Sequence, residues 1–153
     1  MVQLTNNDLN KTVYVHPTVL EENRQRWIVD ATGKTLGKLA VEIARKLCGK
    51  DTVHYCDFWD CGDYVVVTNV EKIAVTGNKL EDKKYYKHTQ WRGHLKEVNL
   101  GTLLKKHPGR VMEFAVRGML PKNKLRKKRL KRLKLIVGNI HTYTDKDLKE
   151  LSV

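Results

Sequence analysis

Residues 27–70 read as strand, helix and strand, and no other stretch restricts the fold as much. WIVDA, at 27–31, is a short β-rich run closed by Thr32 and Gly33, the mark of a strand and its turn. In LGKLAVEIARKLCGK, Leu36, Leu39, Ala40, Ile43, Ala44 and Leu47 recur at helical spacing. Lys38, Glu42, Arg45 and Lys46 take the opposite face, and Gly49 stands where a helix stops. YVVVTNV, at 64–70, is almost unbroken in its apolar content, as a strand is when helices cover both faces of its sheet. That order of elements implies a right-handed parallel crossover, and therefore an α/β core.

Elsewhere the periodicity is weaker. Residues 1–26, which include Pro17, lack a sustained period and read as an N-terminal extension. KIAVTGNK leads into EDKKYYKHTQWRGHLKEVNL, a polar and aromatic stretch that predicts an irregular excursion or hairpin with little core content. LGTLLKKH and PGRVMEFAVRGM are short helical patterns on either side of Pro108 and Gly109, the second with a face of Val111, Phe114 and Ala115. KLIVG, at 134–138, is a further candidate core strand. The 153 residues suffice for one domain, and 41% hydrophobic content supplies its core in spite of 31% charged residues.

The net charge of +13 is concentrated in one place. Between residues 105 and 134 stand thirteen Lys or Arg and a single acid, Glu113, and no Asp or Glu occurs between Glu113 and Asp145. PKNKLRKKRLKRLKL, at 121–135, holds eight of those cations within eleven residues: Lys122, Lys124, Arg126, Lys127, Lys128, Arg129, Lys131 and Arg132. On a helical projection they surround the axis and leave only Leu125 and Leu130 as apolar breaks, which does not suit a membrane-surface helix with one apolar face. Eight like charges without interleaved acids repel one another. The neutralising anions are therefore expected from outside the chain, as nucleic-acid phosphates. The same reading expects these side chains to add little core packing and the segment to be mobile until a polyanion binds it. Upstream, Tyr85, Tyr86, Lys87 and His88, followed by Trp91, Arg92 and His94, interleave rings with cations in a way that suits irregular RNA.

Other chemistries fit less well. The longest unbroken apolar run, 64–67, falls far short of the ~20 residues that span a bilayer. Gly33, Lys34 and Thr35 resemble the end of a phosphate-binding loop, but that motif needs a Gly at position 28, which is Ile. His54, Cys56 and Cys61 are possible zinc ligands without the paired-cysteine knuckle spacing, and no activating motif frames a nucleophilic cysteine. Cys48, Cys56 and Cys61 read as reduced thiols, and the lack of a secretory or transit pattern makes the cytoplasm the expected compartment.

Taken together, WIVDATGKTLGKLAVEIARKLCGK, CGDYVVVTNVEKIAVTGNK, DKKYYKHT and AVRGMLPKNKL leading to KLIVGNIH resemble the bacterial-type large-subunit ribosomal protein L13 family. The resemblance covers 27–141 and leaves 142–153 as a tail. It implies a three-layer α/β/α core around a small, mainly parallel sheet with basic extensions, and a structural, non-enzymatic role in binding large-subunit rRNA. The implied partners are that rRNA and neighbouring ribosomal proteins, with no membrane, small-molecule substrate, cofactor or metal. Carried over by position, the RNA-facing residues are Lys34 and Lys38, then Lys84, Tyr86 and His88, then 117–122, which include Arg117, Gly118, Met119 and Lys122. Arg126 stands where the family usually has Gly, which implies a continued basic helix. Two further readings remain: a nucleotide-dependent enzyme on an α/β scaffold, and a free regulatory RNA-binding module.

Overall fold

The computed structural model describes residues 17–143 and 148–151; the greater part of the N-terminal extension and part of the tail lie outside the described residues. Helix α1 (Pro17–Glu22) precedes strand β1 (Arg26–Asp30). The chain then turns through Gly33, at φ +68°, into α2 (Leu36–Cys48), which buries the predicted stripe from Leu36 to Leu47. Gly49 ends α2 in the left-handed region, its N–H donating to the carbonyls of Arg45 and Lys46. A Cβ there would stand 2.5 Å from the Cys61 carbonyl oxygen, so glycine is required on two counts. Strand β2 (Tyr64–Thr68) runs parallel to β1, with Arg26 opposite Tyr64 and Asp30 opposite Thr68.

A short 3₁₀ turn (Val70–Lys72) and α3 (Lys79–Asp82) lead to the antiparallel hairpin β3 (Lys84–His88) and β4 (Leu95–Asn99). Helices α4 (Leu100–Lys106), α5 (Pro108–Met119) and α6 (Leu125–Lys131) follow, then strands β5 (Leu133–Leu135) and β6 (Leu148–Glu150). The main sheet has the order β5-β2-β1-β6, and every neighbouring pair is parallel. This is the α/β class expected from the sequence. The core joins Val29, Val65 and Val67 of the sheet to Leu39, Ile43 and Leu47 of α2 and to Val111, Met112 and Val116 of α5.

Three element-level expectations change. On α5 the buried face is Val111, Met112 and Val116, with Ala115 half-buried; Phe114 is 39% exposed at the rim, where it meets Tyr85. The KLIVG strand is shorter than 134–138, because 136–138 wrap around Asn69: its N–H donates to the Gly138 carbonyl at 2.9 Å, and the Gly138 N–H donates to the Glu71 carboxylate. Residues 148–150, within the segment read as a tail, form the outer strand beside β1.

Candidate nucleic-acid interface

Helix α6 sorts its cations by type. Lys127, Lys128 and Lys131 are exposed and Arg126 is half-buried, whereas Arg129 and Arg132 are only 1% and 5% exposed. At ~100° per residue, Leu125, Arg129 and Arg132 fall within about 60° of one another and face the interior, while Lys127, Lys128 and Lys131 spread over about 100° centred roughly 120° away, Lys128 lying nearest the buried side, so the helix has an inner and an outer side after all. The inner face is held by one carboxylate. Asp60 accepts a forked pair of hydrogen bonds from the Arg132 guanidinium, with Nη2 at 2.6 Å from Oδ1 and Nη1 on Oδ2. Arg132 also donates to the carbonyls of Leu47, at 3.1 Å, and Asp63, at 3.3 Å. Arg129 places Nε 3.7 Å from the same Asp60 carboxylate and Nη1 3.7 Å from Cys48 Sγ, and Arg24 reaches the Asp60 carbonyl at 2.9 Å. The expectation that this block adds little to the core is therefore overturned for two of its residues: the Arg129 and Arg132 side chains are buried and turn toward Asp60. The anions sought outside the chain are supplied in part from within.

The hairpin presents a second surface. Side chains alternate across a strand, and the register sets Lys84 opposite Asn99, Tyr86 opposite Glu97 and His88 opposite Leu95. Lys84, Tyr86 and His88 thus share the outward face, with Tyr86 62% exposed and Lys84 Nζ 3.4 Å from the Glu97 carboxylate. Tyr85 points the other way onto Phe114, ring centroids 5.5 Å apart, and its burial pushes the phenol above its ordinary range. Arg92 is exposed in the loop between the strands, beside Trp91 at 74% exposure.

A third group gathers where α2 begins and α5 ends. Thr35, Leu36 and Gly37 line one side of a groove, Phe114, Ala115, Gly118 and Met119 the other, and Lys79 and Lys83 stand at its rim. A second groove runs from Met119 and Pro121 along α2 to Arg45, Cys48 and Lys50. Gly118 and Met119 are therefore placed together against α2. Lys38 is exposed on the first turn of that helix and Lys34 is half-buried just before it. Arg117, Lys122 and Lys124 are exposed near the junction of α5 with α6. Lys79, Lys83, Arg45 and Lys50 were not candidates at the sequence level, because only the packing of α2, α3 and α5 brings them to the same grooves.

Gly33, Lys34 and Thr35 are not a phosphate cradle. The N–H groups of Gly33, Lys34 and Leu36 already donate to the carbonyls of Lys72, Ala31 and Ala74. Nearby, Asp30 accepts hydrogen bonds from the Asn69 side chain at 2.9 Å and from the Thr32 backbone and hydroxyl at 3.0 and 2.8 Å. These bonds, assisted by Lys34, hold its carboxyl down at about 2. Among the described residues, no three His, Cys, Asp or Glu side chains gather as a metal site.

The family model described as "Ribosomal protein L13" matches residues 24–142. The chain belongs to the ribosomal protein L13 family. The L13 match runs from Arg24, which bonds to Asp60, through β5 to Thr142, and takes in every candidate residue named above. Among curated L13 relatives, the protein named "Large ribosomal subunit protein uL13" in Dechloromonas aromatica is 49% identical over 133 residues, 87% of this chain and 94% of the relative. The proteins of that name in Maridesulfovibrio salexigens and Aquifex aeolicus are 50% identical over 129 residues (84% and 91%) and 48% identical over 143 residues (94% and 98%).

Proposed function

We propose that this L13-family chain is a structural, non-enzymatic constituent of the large ribosomal subunit in the cytoplasm. It binds large-subunit rRNA, supports subunit assembly and meets neighbouring ribosomal proteins. The observation that carries the reading is the outer face of α6: Lys127, Lys128 and Lys131 are all exposed, in a stretch that contains no acid from 114 to 144. Such a face gains free energy by displacing counterions from phosphates, whereas a carboxylate interleaved among the lysines would compete for them. Lys122, Lys124 and Arg117 extend it toward the end of α5, and Arg126 stands at its edge. Lys84, Tyr86 and His88, with Arg92 beyond them, form a separate contact suited to unpaired nucleotides, because an exposed phenol can stack on a base. Lys34, Lys38, Gly118 and Met119 provide the third contact, where two glycines, Gly37 and Gly118, leave room for a backbone to approach. The names of the relatives support placement in the large subunit.

Replacement of Lys127, Lys128 and Lys131 together by Gln tests the assignment. The variant is expected to keep the parent's circular dichroism and melting temperature, and to lower the slope of log affinity against log salt for in-vitro-transcribed large-subunit rRNA by about 2 to 3. In cells, the tagged parent should travel with the large subunit on a sucrose gradient, and the variant should be depleted from it. Parent-like affinity and slope in the variant remove α6 from the interface.

A further inference from the structure

The basic helix can serve RNA only if its lysines point outward, and among the groups that hold Arg132 beneath it Asp60 is the one that carries a counter-charge. We infer that Asp60 is a positioning residue for RNA binding: through Arg132 and Arg129 it fixes the roll of α6 that turns Lys127, Lys128 and Lys131 to the outside. The inference rests on the reading of α6 as an rRNA contact and deepens it by naming what sets that contact.

Asp60 comes from the loop between α2 and β2, 72 residues before Arg132 in sequence. Its side chain is 13% exposed, those of Arg129 and Arg132 are 1% and 6%, and that of Arg24 is 12%. Three guanidinium groups thus approach one carboxylate inside the protein. Removing that carboxylate leaves buried cations without their counter-charge, and the side chains can regain solvation by rolling or lifting α6. Beside Asp60, the Leu47 and Asp63 carbonyls accept from Arg132 and the Val65 N–H donates to its carbonyl, but none of these offsets the buried charge. Leu125 is half-buried and Leu130 packs partly on the core, while every exposed residue on the helix is a lysine. The fork of two hydrogen bonds from Arg132 fixes direction as well as distance, which a point charge does not. The anchor is rigid on the other side too: Gly62, two residues after Asp60, lies so close to α2 that a Cβ would stand 1.8 Å from the Leu47 carbonyl oxygen and 2.9 Å from Arg132 Nη2. The Asp60 carboxylate is largely buried, engaged by Arg132 and of the wrong charge to bind phosphate, so its effect on binding has to pass through the helix.

The test combines Asp60→Asn with the triple Gln variant in the full-length protein, titrated with in-vitro-transcribed large-subunit rRNA at several salt concentrations. Asp60→Asn alone is expected to lower affinity about tenfold or more and reduce the salt slope by about 2, with amide exchange accelerated at 129–132 while β1, β2 and α2 stay protected. In the triple Gln background the same substitution should cause little further loss, because the lysines it positions are gone. A loss that adds in full to the triple Gln effect means that Asp60 acts on general stability alone, and unchanged affinity despite faster exchange means that the roll of α6 is irrelevant; either overturns the inference. Arg132→Lys keeps the charge and loses the fork. It is expected to show the same pattern at smaller amplitude, and it decides the matter by the same two comparisons if Asp60→Asn does not fold. Parent-like binding by the triple Gln variant is a different failure, that of the interface itself.

Discussion

Tyr85 and Tyr86 are adjacent in sequence and have opposite roles. Tyr86→Ala should weaken rRNA binding by about 1–3 kcal/mol, the range for a base stacked on an aromatic ring, with an unchanged melting temperature. Tyr85→Ala, which removes the packing on Phe114, should cost about 2 kcal/mol of stability in denaturant titration. Asp30 makes a pH prediction. Its folded-state carboxyl is held at about 2 against an ordinary 3.8, so its contribution is complete above pH ~4 and is lost as the pH falls toward 2. The gap in melting temperature between the parent and Asp30→Asn should therefore be widest near pH 5 and close toward pH 2. None of these pairings was legible in the sequence, where Tyr85 and Tyr86 read together as rings suited to RNA. The cations of α6 could be counted, but the type of each mattered more than the number: a planar guanidinium can be buried on a carboxylate through a fork, and a strongly hydrated ammonium stays outside. The hint lay far upstream, where DTVHYCDFWDCGD holds four Asp and no Lys or Arg, an internal store of anions that local pattern cannot pair with residue 132.

Among the elements, α2 and β2 were legible because one apolar period runs through each without interruption. On α5, Val111, Met112, Phe114, Ala115 and Val116 offer two overlapping helical stripes, and only the position of the hairpin decides that Phe114 is at the rim. Strand β6 is three residues, Leu148–Glu150, too short and too polar to announce itself; the free edge of β1 recruits it. The junction between α2 and the following loop yields a stability prediction. Gly62→Ala places a methyl group against a backbone carbonyl, which cannot move without displacing α2, and should cost about 3 kcal/mol in chemical denaturation. Gly118→Ala, where a Cβ meets nothing within 4 Å, should be tolerated in the same assay.

For the whole molecule, the proposed interface joins three patches carried by a single core, and α5 links them: it meets the hairpin through Phe114, α2 along the grooves, and α6 at its end. With about six to ten phosphates neutralised, rRNA affinity should fall by ~10³ to 10⁵ between roughly 50 and 200 mM salt on duplex-derived slopes; an affinity nearly indifferent to salt would show that charge is not the main source of binding. The α/β class could be read from one strand-helix-strand unit, whereas the arrangement of the patches could not, since each depends on packing between distant segments. The edge of the sheet has a consequence for how the molecule is made. Arg26 pairs with Leu148, so the last parallel ladder closes a loop of roughly 120 residues. A chain emerging from its N-terminus displays β1 early and cannot offer β6 until nearly everything else has been synthesised. Through that interval one edge of β1 carries open hydrogen-bonding groups, a site where a strand from another nascent chain can pair in β6's place.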